Sequence, residues 1–174
     1  MPALSAEPIK HGEFTIRPVL DSDRRAVTDV FNYFVENSFA AYPSSPFTPE
    51  FYDQLRKVST GYPFYVVENA ARKVVGFALV RPYMWIDSFQ RTLEITYFLL
   101  PEVTGKGLGT RLLTILEDQA RQVGGETLLA SISSRNDQSL SFHKKHGFQE
   151  CGRFERIGKK FDEDFDVVWM QKWL

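Results

Sequence analysis

The chain has 174 residues, of which 43% are hydrophobic and 14% aromatic, enough to build one domain with a sizeable core. Its formal charge of −1 excludes the strongly basic character that would point to nucleic acid or an anionic membrane as partner, and its one cysteine, Cys151, excludes an internal disulfide and any cysteine-rich metal site. No continuous apolar segment within residues 1–20 resembles a signal peptide, and no run approaches membrane-spanning length, so a soluble cytoplasmic protein without a metal is expected.

Residues 1–12 are polar and contain proline, and read as a flexible arm ahead of a single domain over 13–174. Phe14 to Val19 is a first strand, with Pro18 marking an edge or an end. Asp21 or Ser22 can cap the next helix, whose apolar stripe is Ala26, Val27, Val30, Phe31, Phe34 and Val35. After a loop rich in serine and proline, Thr48-Pro49-Glu50 opens a short helix to about Val58. Phe64–Glu68 and Val74–Val80 are strands joined by a short polar link, hence a hairpin. A longer loop over 82–91 holds Tyr83, Trp85 and Phe89. Leu93–Leu100 is a buried strand ended by Pro101, and Leu108, Leu112, Leu113, Leu116, Ala120 and Val123 mark a helix face that Gly124 and Gly125 stop. Thr127–Ser133 is a strand, and Asn136 caps a helix ending near Gly147. Phe148–Ile157 and Phe165–Trp173 close the chain around a turn at 159–164, with Cys151 read as a buried or inert strand thiol. The order is strand, two helices, three strands, helix, strand, helix, two strands. It implies an α/β fold: a mixed sheet with helices on both faces.

Between the apolar strand and its helix, Gly105, Gly107 and Gly109 alternate with Lys106 and Leu108. A glycine-rich turn opening a helix suits a phosphate, because the first helical N–H groups have no partner and no Cβ blocks the approach. The plainer reading is a tight turn without ligand. The ATP-type loop string is absent, and the dinucleotide fingerprint fails because Thr110 stands where its last glycine belongs and no acid follows at the end of the next strand.

Thr104-Gly105-Lys106-Gly107-Leu108-Gly109 resembles the [QR]-x-x-G-x-[GA] motif of the GNAT acetyltransferases in both of its glycines, with Thr104 in place of Gln or Arg. Asn136 to Phe148, NDQSLSFHKKHGF, resembles the later helix of that family, N-x-x-S-x-x-x-[HY]-x-x-x-G-F. The resemblance spans nearly the whole chain and is nearest to the phosphinothricin and amino-acid N-acetyltransferases, which carry an acid in the central strand and a histidine in the later helix, as Glu94 and His143 stand here.

The resemblance implies the acyl-CoA N-acyltransferase fold, splayed between the strands Leu93–Leu100 and Thr127–Ser133, with acetyl-CoA as co-substrate in the gap. It implies that the backbone of Gly105, Lys106, Gly107, Leu108, Gly109 and Thr110 cradles the pyrophosphate, and that backbone groups of Phe98, Leu99 and Leu100 meet the pantetheine arm and the thioester oxygen. Asn136 belongs to the same cofactor-binding set. Lys106 and Lys145 either add charge to the phosphates or are solvated surface lysines. Glu94 is the candidate base, since a carboxylate within an apolar strand needs a pocket, water or a partner; the plainer reading is an acid at the exposed strand start, paired with Arg91 or a similar residue. His143 either protonates the leaving thiolate, orients Glu94 through water, contacts coenzyme A, or packs on the helix face. His146 sits near the helix end, and His11 has no assigned role. Tyr83, Trp85 and Phe89 line the acceptor site or pack as core. The basic residue of the phosphinothricin enzymes is missing from their loop, which points to a more apolar acceptor, with Arg81 or Arg91 as replacement charge. The expected activity is acetyl transfer to a small primary amine, an amino acid or analogue, and the resemblance allows a homodimer. Protein N-terminal or lysine acetylation and a non-catalytic acyl-CoA-binding module are the alternatives.

Overall fold

The structure, a computed structural model, describes residues 7–174. Its strands are β1 (Ile9–His11), β2 (Phe14–Pro18), β3 (Phe64–Glu68), β4 (Val74–Pro82), β5 (Thr92–Leu99), β6 (Thr127–Ser133), β7 (Gln149–Lys160) and β8 (Glu163–Trp173). They form one sheet in the order β1-β2-β3-β4-β5-β6-β8-β7. The α-helices are α1 (Arg24–Asn37), α2 (Phe51–Val58), α3 (Leu108–Gln122) and α4 (Asp137–Lys145). Every strand pair is antiparallel except β5–β6, so the sheet is mixed, as a fold with hairpins beside strand–helix–strand units requires.

Strand alternation sorts the core into two layers. Phe77 and Leu79 of β4 face α1 and pack with its Val27, Val30, Phe31 and Val35. Ala78 and Val80 face the other way, where Leu93, Ile95, Leu128 and Ala130 meet Leu112, Leu113 and Leu116 of α3. Each of these valine, leucine, isoleucine and phenylalanine side chains contributes about 1.5–3 kcal/mol by leaving water, and together they hold the sheet between its helices.

Three boundaries differ from expectation. Part of the expected arm is ordered: Ile9–His11 pairs with Phe14–Ile16 across a turn at Gly12, whose φ is 58°, and Ile9 packs on the α3-side core. Three residues are too few for an alternation signal; the remainder of the arm, 1–6, lies outside the described residues. α1 begins after Asp23 rather than at an Asp21 or Ser22 cap: the Asp23 carboxylate accepts from Leu20 N at 2.8 Å and pairs with Arg17 at 2.7 Å. The expected turn over 159–164 shrinks to Phe161 and Asp162, which lengthens β7 and β8. Cys151 is exposed rather than buried, because β7 is the outermost strand and leaves its first residues uncovered.

Candidate active site

The sheet opens at one place. β5 and β6 pair only at Thr92↔Thr127, Leu93↔Leu128 and Glu94↔Leu129. Beyond Glu94 each strand continues against its other neighbour, β5 with β4 as far as Leu99↔Gly76 and β6 with β8 as far as Ser133↔Val167. A gap therefore runs from Glu94 toward the C-terminal ends of both strands. Leu100 N donates to Val75 O at 2.9 Å, and Tyr83 N donates to Thr92 O at 3.0 Å. Antiparallel alternation between these two points turns the N–H and C=O groups of Phe98 toward β4 and those of Tyr97 and Leu99 toward the gap. Of the expected trio Phe98, Leu99 and Leu100, only Leu99 offers its backbone to a ligand in the gap; the ring of Phe98 packs against Phe31, Phe34 and Phe77.

Past the end of β5 the chain enters the glycine turn. Thr104 donates its hydroxyl back to Pro101 O at 2.8 Å. Gly105 and Gly107 have φ of 74° and 78°, the left-handed region that glycine enters without strain. Gly107 is the N-cap of α3, and the first helical bond is Arg111 N to Gly107 O at 3.0 Å. The N–H groups of Leu108, Gly109 and Thr110 precede that bond and point out of the helix end, where the dipole favours an anion. Gly109 has a different reason to be glycine: a Cβ there would stand 3.2 Å from the Phe142 ring, so its absence lets α4 approach α3.

Lys106 points away from the helix end. Its ammonium pairs with Glu13 at 3.2 Å and lies 5.2 Å from the centre of the Phe14 ring, while its carbonyl accepts from His11 Nε2 at 3.0 Å. The β1–β2 hairpin thus braces the turn, which gives His11 the place that sequence reading did not find. Thr110 Oγ1 bonds His146 Nε2 at 3.0 Å, and His146 Nδ1 donates to Phe142 O at 2.8 Å, so His146 ties the end of α4 to the start of α3. Asn136 caps α4, its side-chain oxygen accepting from Ser139 N at 3.1 Å; Lys145 is exposed in the last turn of that helix.

Glu94 stands where the gap begins, 8% exposed, on the α1 face of the sheet. Its cross-strand partner is Arg81, whose Nη2 donates to Oε2 at 2.6 Å. Desolvation raises the Glu94 pKa above the usual 4.5, and the charge and hydrogen bond of Arg81 oppose the rise without cancelling it. Arg91, the partner anticipated for a merely structural acid, pairs instead with Glu126 at 2.8 Å. Across the gap on the same face, Ser131 Oγ meets the hydroxyl of Tyr42 at 2.8 Å, and Ser131 pairs in register with Trp169. Desolvation holds the Tyr42 pKa up against the lowering effect of its bond to Ser131, with a smaller upward push from the Glu94 charge. Tyr83 contacts Phe89 and Trp169 at 5.9 and 6.0 Å between ring centres. Trp85, 67% exposed, meets Tyr62 instead. The structure thus gathers two of the three loop aromatics and adds Tyr42, Ser131 and Trp169, residues brought in by a loop and by sheet register that leave no motif in the sequence.

His143 lies on the other face. It is 3% exposed in α4, and its Nδ1 donates to Ser139 O at 2.7 Å, because a carbonyl only accepts. Nε2 is then the acceptor for the Tyr97 hydroxyl at 2.8 Å. Burial lowers the His143 pKa to about 4, so the ring is neutral at pH 7 and Nε2 carries no proton to give. This corrects the expectation of a histidine acid, and the intervening sheet keeps His143 from orienting Glu94: Tyr97 is three residues beyond Glu94 and on the opposite side of the strand. Tyr97, whose backbone faces the gap, gives its hydroxyl hydrogen to His143 on this face. Tyr97 has no motif to announce it; only the bond to His143 marks it.

Residues 27–148 match the model of the acetyltransferase (GNAT) family. The chain is 27% identical over 167 residues to a phosphinothricin N-acetyltransferase of Streptomyces coelicolor, covering 92% of this chain and 96% of that one. It is 29% identical over 164 residues to the L-amino acid N-acyltransferase MnaT of Escherichia coli, covering 90% and 92%. Among solved structures it resembles a GNAT superfamily phosphinothricin acetyltransferase from Sinorhizobium meliloti in complex with AcCoA, with a TM-score of 0.87, 26% identity and coverage of 93% and 89%.

Proposed function

The chain belongs to the acetyltransferase (GNAT) family, and we propose that it is an enzyme that moves an acetyl group from acetyl-CoA to the primary amine of a small acceptor, an amino acid or an analogue of one. The residues present suit acetyl-CoA: left-handed glycines at 105 and 107, open space beside Gly105, outward N–H groups at the start of α3, and an unpaired β5 edge at Tyr97 and Leu99. When bound, the thioester supplies the activated acetyl group. This chain's residues hold it, free the amine and manage protons.

The observation that carries the reading is the buried carboxylate of Glu94 at the opening of the gap. An amine acceptor is protonated at neutral pH and attacks only after losing a proton. A carboxylate whose pKa has been raised by desolvation is a better match for that task than a solvated one. Among the described residues, the guanidinium of Arg81 makes its one side-chain hydrogen bond to Glu94. Its other N–H groups are left to receive the anionic end of an acceptor whose amine lies at Glu94, replacing the loop charge that this chain lacks. Tyr83, Phe89 and Trp169 offer an apolar wall for the rest of the molecule. The names of the relatives, phosphinothricin and L-amino acid acyltransferases, agree with an acceptor of this kind. Tyr97, whose single hydroxyl hydrogen goes to neutral His143, can meet a leaving thiolate by turning that hydrogen from Nε2 into the gap.

The test is release of free thiol from acetyl-CoA across a panel of amines, repeated with Glu94→Gln. The variant should lose about 10²–10⁴-fold in kcat at pH 7, the usual worth of a general base. Acetyl-CoA affinity should be unchanged, because the glycine turn is untouched. The wild-type rate should climb with pH through a limb lying above the ordinary carboxylate pKa of 4.5, and the variant should lack that limb. Near wild-type kcat in the variant at pH 7 would leave Glu94 as a structural ion pair with Arg81.

A further inference from the structure

Lys160, the last residue of β7, is 2% exposed. Its ammonium donates to Ser38 O and Ala41 O at 2.7 Å each and reaches Phe34 O at 3.5 Å. Burial lowers its pKa, and among the described residues no carboxylate pairs with it. A buried ammonium without a counter-ion is costly, and an apolar side chain would fill the same space at less cost. What the charge gains is the set of carbonyls at the end of α1, where the helix dipole favours a cation, and in the loop that follows, with the Phe161 ring 4.9 Å from the ammonium.

The hairpin carrying Lys160 closes in a tight two-residue turn. Its two turn residues, Phe161 and Asp162, have φ of 52° and 61°. Two left-handed residues give the twist that two-residue hairpins favour, but a phenylalanine in that region is uncommon and marks a local constraint. The turn brings the Phe161 ring edge-on to Phe39 at 5.4 Å, and Phe165 of β8 meets Phe39 at 5.8 Å and stacks on Tyr42 at 5.6 Å. The loop after α1 is therefore gripped at Ser38, Phe39, Ala41 and Tyr42 by one hairpin. Its last gripped residue, Tyr42, reaches the β6 side of the gap, where its hydroxyl bonds Ser131 at 2.8 Å, across from Glu94 on β5.

We propose that Lys160 is a positioning residue of the acceptor site: its ammonium ties the β7–β8 hairpin to the loop after α1 and so sets where Tyr42 stands over the gap. The inference rests on the acetyl-transfer reading for its effect on turnover, and on geometry alone for the clasp. Lys160→Met keeps the length and removes the charge. With the amine that the wild type acetylates best, it should raise the acceptor KM at least tenfold and leave acetyl-CoA affinity within twofold by calorimetry. A residue that merely stabilises the fold would not split the two substrates in this way. In a double-mutant cycle, Lys160→Met should change the acceptor KM less than twofold on a Tyr42→Ala background, since the two act as one unit; additive losses, or an unchanged KM in the single variant, overturn the proposal. If Lys160→Met does not fold, Phe161→Ala takes its place, because that exposed ring is expendable to the core: a raised acceptor KM supports the clasp and an unchanged one overturns it. Should the wild type acetylate no amine at all, the functional reading fails separately. The clasp is then judged by hydrogen exchange at Ala40, whose N–H bonds Ser38 Oγ at 3.1 Å. Faster exchange in Lys160→Met supports it, and an unchanged rate overturns it.

Discussion

At His143 two hydrogen bonds decide what a titratable group can do. The carbonyl of Ser139 fixes the proton on Nδ1, and the phenol of Tyr97 occupies Nε2. Charging the ring would place a cation beside His146 and where water barely reaches, and the bond to Ser139 O is a smaller effect than that desolvation. The pKa falls from 6.5 to about 4 in consequence. The unfolded chain then binds a proton that the folded one refuses, so stability is fully present above pH 6.5 and drains away as pH falls toward 4. A shift of this size corresponds to roughly 3 kcal/mol. Urea unfolding of wild type and His143→Gln should show the difference: the wild type loses about 2–3 kcal/mol more than the variant between pH 6.5 and pH 4. Equal losses would mean that the ring is charged, and would return it to the role of acid.

The glycine turn and α3 act together as an element. Gly107 has φ of 78° and ends the turn as N-cap of the helix. Valine there is β-branched and strained in that region, and its Cβ would lie 3.4 Å from His11 Nε2, in the bond that braces the turn. Gly107→Val should therefore abolish acetyl-CoA binding in calorimetry while the far-ultraviolet dichroism stays that of the wild type; retained affinity would show that the turn does not hold the phosphates. The turn was legible because glycine followed by a period of 3.6 is a local pattern, and so were the strands and helices whose alternation or amphipathic stripe lies within one segment. The three-residue strand β1 was not, being too short to show a period. Pairings between segments were not legible either. That Arg81 and Glu94 face each other depends on the β4–β5 register, that Tyr97 meets His143 depends on how α4 lies on the sheet, and that Tyr42 reaches Ser131 depends on where a loop crosses the gap. None of these leaves a spacing within a single stretch of chain. Glu94 itself is legible as an acid among apolar neighbours, but nearness in sequence points to Arg91 as its partner, whereas the sheet register supplies Arg81.

For the molecule as a whole, the gap is a seam. The five strands before it and the three after it join in the sheet through three residue pairs, and α3 crosses from one part to the other. A ligand lying between β5 and β6 completes hydrogen bonds that the chain leaves open, and so couples the two parts. Acetyl-CoA at 100 times its Kd should stabilise the fold by about 2.7 kcal/mol, a rise in Tm of roughly 5–10 °C for a chain of this size. NAD should give no rise, since the dinucleotide fingerprint breaks at Thr110. The sharper expectation concerns single amides. Leu100 N–H already bonds Val75 O, and alternation directs Phe98 N–H toward β4 as well, so acetyl-CoA should change their exchange only as much as it changes global stability. Tyr97 and Leu99 point their N–H groups into the gap and should gain protection beyond that global amount. Residue-resolved hydrogen exchange by NMR, with and without acetyl-CoA, separates the two classes. Selective protection at Tyr97 and Leu99 places the pantetheine arm along β5. Uniform protection across residues 97–100 would mean that the ligand stabilises the protein from elsewhere and leaves the seam open.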